Sequence, residues 1–268
     1  MAIISLQSAA SGLTALSTAM DVISNNLANV NTAGFKSSRA NFQDLLYIER
    51  NQPGIRNTNN DQRPTGLFVG LGTKVSGTQN DFSAGSPIRG NKLDLYIQGN
   101  AFFRVQVQPA LGAGGFAYTR AGQFTLNSDG EMVLASDQGR RLDPPITIDG
   151  DVVDITVDNS GQVFVTRPNT ATPENVGQIQ LTNFINPAGL KPVGENLFVE
   201  SGASGPPIDG NPGENAFGTL IQGQYEGSNV DPTQELISLI RVQRAFEMNS
   251  NTIRAADQAL QTIAQLRR

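Results

Sequence analysis

The sequence predicts an α+β chain: long N- and C-terminal helices forming a coiled-coil core domain, an extended connecting region, and an inserted β-rich outer domain. Three observations lead there. Apolar residues recur every three or four positions at both ends, the period falls to two in the middle, and the chain's 28 glycines and 14 prolines describe many turns and short strands. The boundaries read as 1–34 plus 230–268 for the helical core, 35–74 for the connection and 75–229 for the β-rich domain.

At the N-terminal end, Leu6, Ala9, Leu13, Leu16, Met20, Ile23, Leu27 and Val30 follow one another in steps of three and four, a heptad seam. Gly34 suits the left-handed residue after a last turn and Phe35 can fold back on Val30, so the helix is expected to end near Ala33. The stretch "SNNLANVNTAGFK" at 24–36 sets asparagines into this helix, although their amides compete for backbone groups. Asp21 is the one charged residue between Met1 and Phe35, and Ser5, Gln7, Ser8, Ser11, Thr14, Ser17 and Thr18 fill the back of the helix. A wet helix face normally carries lysine and glutamate. The neutral face is therefore read as one that meets other protein, with Asn25, Asn26 and Asn29 as interhelical donors and acceptors.

At the other end the seam recurs as Leu239, Val242, Phe246, Asn249, Ile253, Ala256, Leu260 and Ile263, with one polar member at Asn249. Asp231 is the expected N-cap, Pro232 occupies the first helical position, and Glu235 lies in the first turn, where a carboxylate is favoured. A fully buried Leu, Ile or Met contributes roughly 1.5–3 kcal/mol, against about 1–2 kcal/mol per residue for ordering the backbone. One helix pair offsets little of that, so both ends are expected to gain order as copies pack together.

Between the helices, "YIERNQPGIRNTNNDQRPTGLFVGLGTK" (47–74) has little periodicity and reads as extended; composition alone gives a flexible linker, whereas such length between elements is often functional. Beyond it, Leu93, Leu95 and Ile97, a Gly99-Asn100 turn, then Phe103, Val105 and Val107 give a hairpin pattern. "FTLNSDGEMVLA" (124–135) and "DITVDNSGQVFVT" (154–166) repeat it, and "GQIQLTNFINPAGL" (177–190) adds a strand and turn.

Composition excludes several functions. A net charge of −5, with basic pairs only at Arg140-Arg141 and Arg267-Arg268, offers no surface for nucleic acid. Absence of cysteine and histidine removes disulfides, thiolate metal sites and every Ser-His-Asp arrangement. Asp149, Asp151, Asp154 and Asp158 miss the spacing of a calcium loop and are accounted for by turns, and "GLGTKVSG" and "GAGG" fit no phosphate loop. No catalytic residue, metal or cofactor is expected. Neither a cleaved signal nor a membrane span is expected, which by the standard routes leaves the chain in the cytoplasm.

"MDVISNNLANVNTAGFKSSRANFQDLL" (20–46) and "EGSNVDPTQELISLIRVQRAFEMNSNTIRAADQALQTIAQL" (226–266) closely resemble the terminal signatures of bacterial flagellar rod and hook proteins. "LLYIERNQPG" (45–54), "IQGNAFFRVQV" (97–107), "AYTRAGQFTLNSDGEMV" (117–133) and "GENLFVES" (194–201) are similar to its distal-rod members. The resemblance implies a structural subunit of a helical homopolymer, its helices lining a secretion channel, its β domain outside, and 47–74 packed between neighbours in a rigid, torque-transmitting rod. It implies other rod proteins, the hook protein, the rod cap and the P- and L-ring proteins as partners. It also implies unfolded exit through the flagellar type III export apparatus on an uncleaved signal, with assembly in the periplasm. The glycine-rich 107–120 hairpin is longer than the family pattern. The rivals are another axial subunit, proximal rod or hook, and a periplasmic peptidoglycan-binding or carboxylate glycosidase protein.

Overall fold

A computed structural model describes residues 2–54, 64–148, 150, 152–168, 172–214 and 217–266. The fold is α+β, with a helix at each end and a mostly β middle, and it divides into two units. The first comprises Met1–Leu27, Ser38–Gln79 and Pro232–Arg268; the second comprises Ala28–Ser37 and Asn80–Asp231. Among the described residues no helix is long and apolar enough to cross a membrane.

In the first unit, helix α1 spans Ala2–Ala28 and helix α2 spans Pro232–Leu266. The C-terminal helix starts where Asp231-Pro232 predicts. The N-terminal helix stops short of Ala33, because the asparagines offer the backbone an alternative: Thr32 N–H donates to Asn29 O at 3.2 Å and Thr32 Oγ1 to Asn29 Oδ1 at 3.1 Å, closing turns instead of a further helical round. Gly34 does adopt φ +68°, but its N–H donates to Glu226 O at 2.8 Å and not back to α1. It is a turn residue of the second unit, and a methyl group on it would lie 2.4 Å from Ala121 N.

The connecting region is extended yet folds back on itself. Strands Ser38–Asp44 and Thr73–Asn80 pair, and Tyr47–Asn51 pairs antiparallel with Leu67–Gly70. Leu45 N–H to Gly72 O at 2.9 Å and Leu71 N–H to Leu46 O at 3.2 Å join the two ladders into one long hairpin arm. The middle of the expected linker, 55–63, lies outside the described residues.

The second unit is built on a six-stranded antiparallel sheet in the order Lys191–Gly194, Leu197–Val199, Phe116–Thr119, Phe102–Gln106, Leu181–Asn183, Ile208–Gly210. Successive side chains of a strand point to opposite faces, so Phe102 and Phe103 serve different cores. Phe103 stacks edge-to-face on Phe124 at 5.1 Å in a cluster with Leu95, Ile97, Met132, Leu142, Leu181 and Leu220. Phe102 joins Tyr118, Phe184, Leu190 and Phe198 on the other side.

Two expected hairpins form, Phe124–Leu126 with Met132–Leu134 and Asp154–Val157 with Gln162–Thr166. The expected hairpin across Gly99-Asn100 does not. Leu95–Gln98 pairs with Thr219–Gln222, while Phe102–Gln106 pairs with Phe116–Thr119 and Leu181–Asn183. Alternation in sequence marked both strands but carries no information on which partner each takes.

Candidate assembly surface

The helices of the first unit run antiparallel. Asn26 Nδ2 donates to Glu235 Oε1 at 2.9 Å, and a methyl group added at Gly12 would sit 3.0 Å from Asn249 Nδ2. These contacts lie fourteen residues apart on both helices, one continuous register that brings Ala19 level with Val242 and Ala15 level with Phe246. Ala15 and Ala19 are both buried, at 2% and 5% exposure.

The buried stripe of α1 is Ala9, Gly12, Ala15, Ala19 and Asn26. The seam residues Leu6, Leu13, Leu16, Met20, Ile23, Leu27 and Val30 are only half-buried, as are Leu239, Val242, Asn249, Ile253 and Leu260 on α2. Phe246 is exposed and the Ile263 side chain lies outside the described residues. Beyond the seam, α2 exposes Leu236, Ile237, Ile240 and Met248, the last by 64%. The sequence reading has the ends gaining order in the company of other copies; within a single chain they are already paired, through small and polar groups, while the large apolar side chains keep surface to offer.

Asn26 fastens three elements. Its Nδ2 also donates to Ser38 O at 2.8 Å and its Oδ1 accepts the Ser38 N–H at 2.9 Å, so α1, α2 and the first strand of the arm meet on one buried amide. Asn25 is exposed and Asn29 half-buried. Ser8 and Ser11 perform a related role: Ser8 Oγ donates to Gly70 O at 3.5 Å and Ser11 Oγ accepts Thr73 N–H at 3.2 Å, seating the return strand of the arm against α1. Gly72, at φ +117°, has no room for a side chain there. The arm itself exposes Phe42, Leu46, Tyr47, Ile48, Leu67 and Phe68, Leu46 by 83%.

A buried charge cluster in the second unit escaped the sequence reading. Glu226 Oε1 accepts from Lys36 Nζ at 2.7 Å and from Gly85 N–H at 2.7 Å, and its Oε2 accepts from Arg120 Nε at 2.7 Å. Lys36 also donates to Ser83 O at 2.6 Å, and Arg120 to Gly99 O at 2.8 Å and to Ala101 O. Burial pulls the Lys36 ammonium below the usual lysine range; Glu226 opposes that shift and the Arg120 charge adds to it. Asn229 ties the same place together, its Oδ1 accepting Ser37 N–H at 2.7 Å and its Nδ2 donating to Asp81 O at 2.8 Å. Asp231, the expected cap, is exposed at the start of α2. The only sequence signal for Lys36 was a lysine directly after the apolar Gly34-Phe35 turn.

Of the acidic group, Asp149 and Asp151 lie outside the described residues. Lys92 Nζ, 2.8 Å from Asp154 Oδ1, holds that exposed carboxyl below the usual range, and Asp158 accepts from Asn159 N–H and Ser160 Oγ as turn residues do. Among the described residues no group of three or more acidic side chains could hold a metal ion.

Three family models match the chain: flagellar basal body rod FlgEFG protein C-terminal over 221–266, flagellar hook protein FlgE/F/G D1 domain over 96–165, and flagella basal body rod protein over 6–36. The chain is 44% identical over 264 residues to the flagellar basal-body rod protein FlgG of Caulobacter vibrioides, covering 98% of each. It is 42% identical over 252 residues to FlgG of Agrobacterium fabrum, covering 93% of this chain and 94% of that one, and 41% identical over 266 residues to FlgG of Borreliella burgdorferi, covering 98% of each.

Proposed function

The chain belongs to the FlgG family of flagellar basal-body rod proteins and is a structural subunit of the distal rod, and on that premise we propose that it polymerises into a rigid hollow drive shaft. The family is one of structural rod proteins and not of enzymes, and its members assemble with other rod and hook proteins in the basal body.

In the proposed polymer the paired helices form a coiled-coil core around an export channel, the β unit forms the outer layer, and the shaft carries torque to the hook. The observation that carries this reading is the helix pair. The buried positions of α1 are mostly small, and the proposed packing residues between copies are Leu6, Leu13, Leu16, Met20, Ile23, Leu27, Val30, Leu239, Val242, Phe246, Ile253, Leu260 and Ile263. Most of those described are half-exposed in one chain, and closing that surface against neighbours supplies about 25 cal/mol per Å² of apolar area. Neutral polar groups on α1, Asn25 and Asn29 among them, suit a helix surrounded by protein.

We further propose that the rod cap, the P- and L-ring proteins and the flagellar type III export apparatus are its partners. On this reading the chain leaves the cell unfolded on an uncleaved signal and assembles in the periplasm. Cryo-electron microscopy of the purified protein at high concentration tests the polymer: hollow tubes with both helices innermost are expected. Monomers at every concentration, or tubes whose bore is lined by the β unit, would overturn it.

A further inference from the structure

Two features of the β unit depend on residues 219–230, and they meet at Glu226. The first is the buried cluster: Glu226 is 1% exposed, the side chains of Lys36 and Arg120 are 0% and 2% exposed, and both cations share this carboxylate. Lys36 lies 190 residues before it in the chain and Arg120 106. Packed without it, the two cations would be buried together unpaired, a state several kcal/mol uphill.

The second is strand pairing. Pro87–Arg89 is paired by Gln224–Glu226, and Leu95–Gln98 by Thr219–Gln222, each in a two-stranded sheet. Fully buried Leu95 and Ile97 share a core cluster with Leu220. The six-stranded sheet draws all of its strands from between Phe102 and Gly210; its Phe103 and Leu181 share the cluster that holds Leu220, while its other face closes on Phe102, Tyr118, Phe184, Leu190 and Phe198 without residues 219–230.

We infer that residues 219–230 are a late-closing latch: segments 28–37 and 81–98 stay open until Glu226 and its two strands arrive, while the six-stranded sheet forms without them. Any chain delivered N-terminus first then keeps its early β segments loose until residue 226 has emerged. The use of such a latch, to hold an emerging subunit open until nearly all of it has passed out, rests on the function proposed above. The order of closure does not, since it is a property of the isolated chain, and so its test can fail without touching the rod reading.

Native-state hydrogen exchange of the full-length protein at rising denaturant, read by mass spectrometry, tests the latch. Peptides from 28–37, 81–98 and 219–230 are expected to open together, at lower denaturant than peptides from 102–119 and 181–199. Glu226→Gln should speed exchange in 28–37 and 81–98 by at least about a hundredfold while leaving 102–119 within about threefold. Lys36→Met, Arg120→Met and Glu226→Leu combined should restore protection, since an apolar cluster of similar volume leaves no charge unpaired. Simultaneous opening of both groups in the unaltered protein would overturn the inference, and that arm needs no variant to fold. Equal acceleration of both groups by Glu226→Gln, acceleration of neither, or no restoration by the apolar triple variant would count against it equally.

Discussion

The Asn26 amide has both N–H groups and its carbonyl oxygen engaged, with Ser38 O, Glu235 Oε1 and Ser38 N–H. Asn26→Ala leaves a part-buried carboxylate and two backbone groups without that partner, and should cost about 2–3 kcal/mol, read as a lower denaturant midpoint for the helical signal. An unchanged midpoint would show the junction to be dispensable. A second residue-scale effect concerns alkaline pH. Burial, with the Glu200 and Asp209 carboxylates adding to it, pushes the Tyr118 phenol from 10.0 up to about 12. Between those values the unfolded chain gives up the proton and the folded chain keeps it, so stability is full below pH 10 and falls as pH rises through the window, by up to roughly 3 kcal/mol. Tyr118→Phe should remove that part of the fall, measured as the change in midpoint from about pH 9 to about pH 11.5. The sequence marked Asn26, with Asn25 and Asn29, as an interhelical donor and acceptor, but held no sign that Ser38 and Glu235 of the same chain would take it up. Glu226 was not marked, since nothing near it in sequence announces cations so distant along the chain.

At the scale of elements, the heptad period located both helices, and Asp231-Pro232 the start of the second. Apart from Ala9, the period did not identify the buried column of α1. Hydropathy follows large side chains, whereas the buried positions of α1 include Gly12, Ala15 and Ala19, which such a scan barely registers. Leu13 and Ile253 are half-buried. Leu13→Asp or Ile253→Asp should therefore leave the monomer folded, with an unaltered circular dichroism spectrum, yet slow polymer growth at least tenfold by burying an unpaired charge between copies, an estimate of roughly 1.4 kcal/mol or more. Growth at the unaltered rate would remove these residues from the interface. The arm was illegible as strands for a different reason. Every residue of Tyr47–Asn51 is exposed, so it has no inward face and no alternation to detect; its order comes from the backbone ladder with Leu67–Gly70.

For the whole molecule, discontinuous units follow from a chain whose ends must meet. The first unit draws on three separate stretches, and the period change predicted its helices but not that residues 38–79 would join them. An arm of exposed aromatic and aliphatic residues, seated on α1 by Ser8 and Ser11, suits contact with neighbouring subunits. Removing 47–70 should give rods that bend or break under shear, seen by negative-stain microscopy, whereas a passive spacer would leave straight rods of the same diameter.

The opposed directions of α1 and α2 have an electrical consequence. Each helix carries a macrodipole equivalent to about half a charge at either tip, and side by side in opposite senses the two largely cancel. In the proposed polymer, copies aligned in one orientation then add little helix dipole along their length, and a charged polypeptide moving through the proposed channel meets little axial field from these helices.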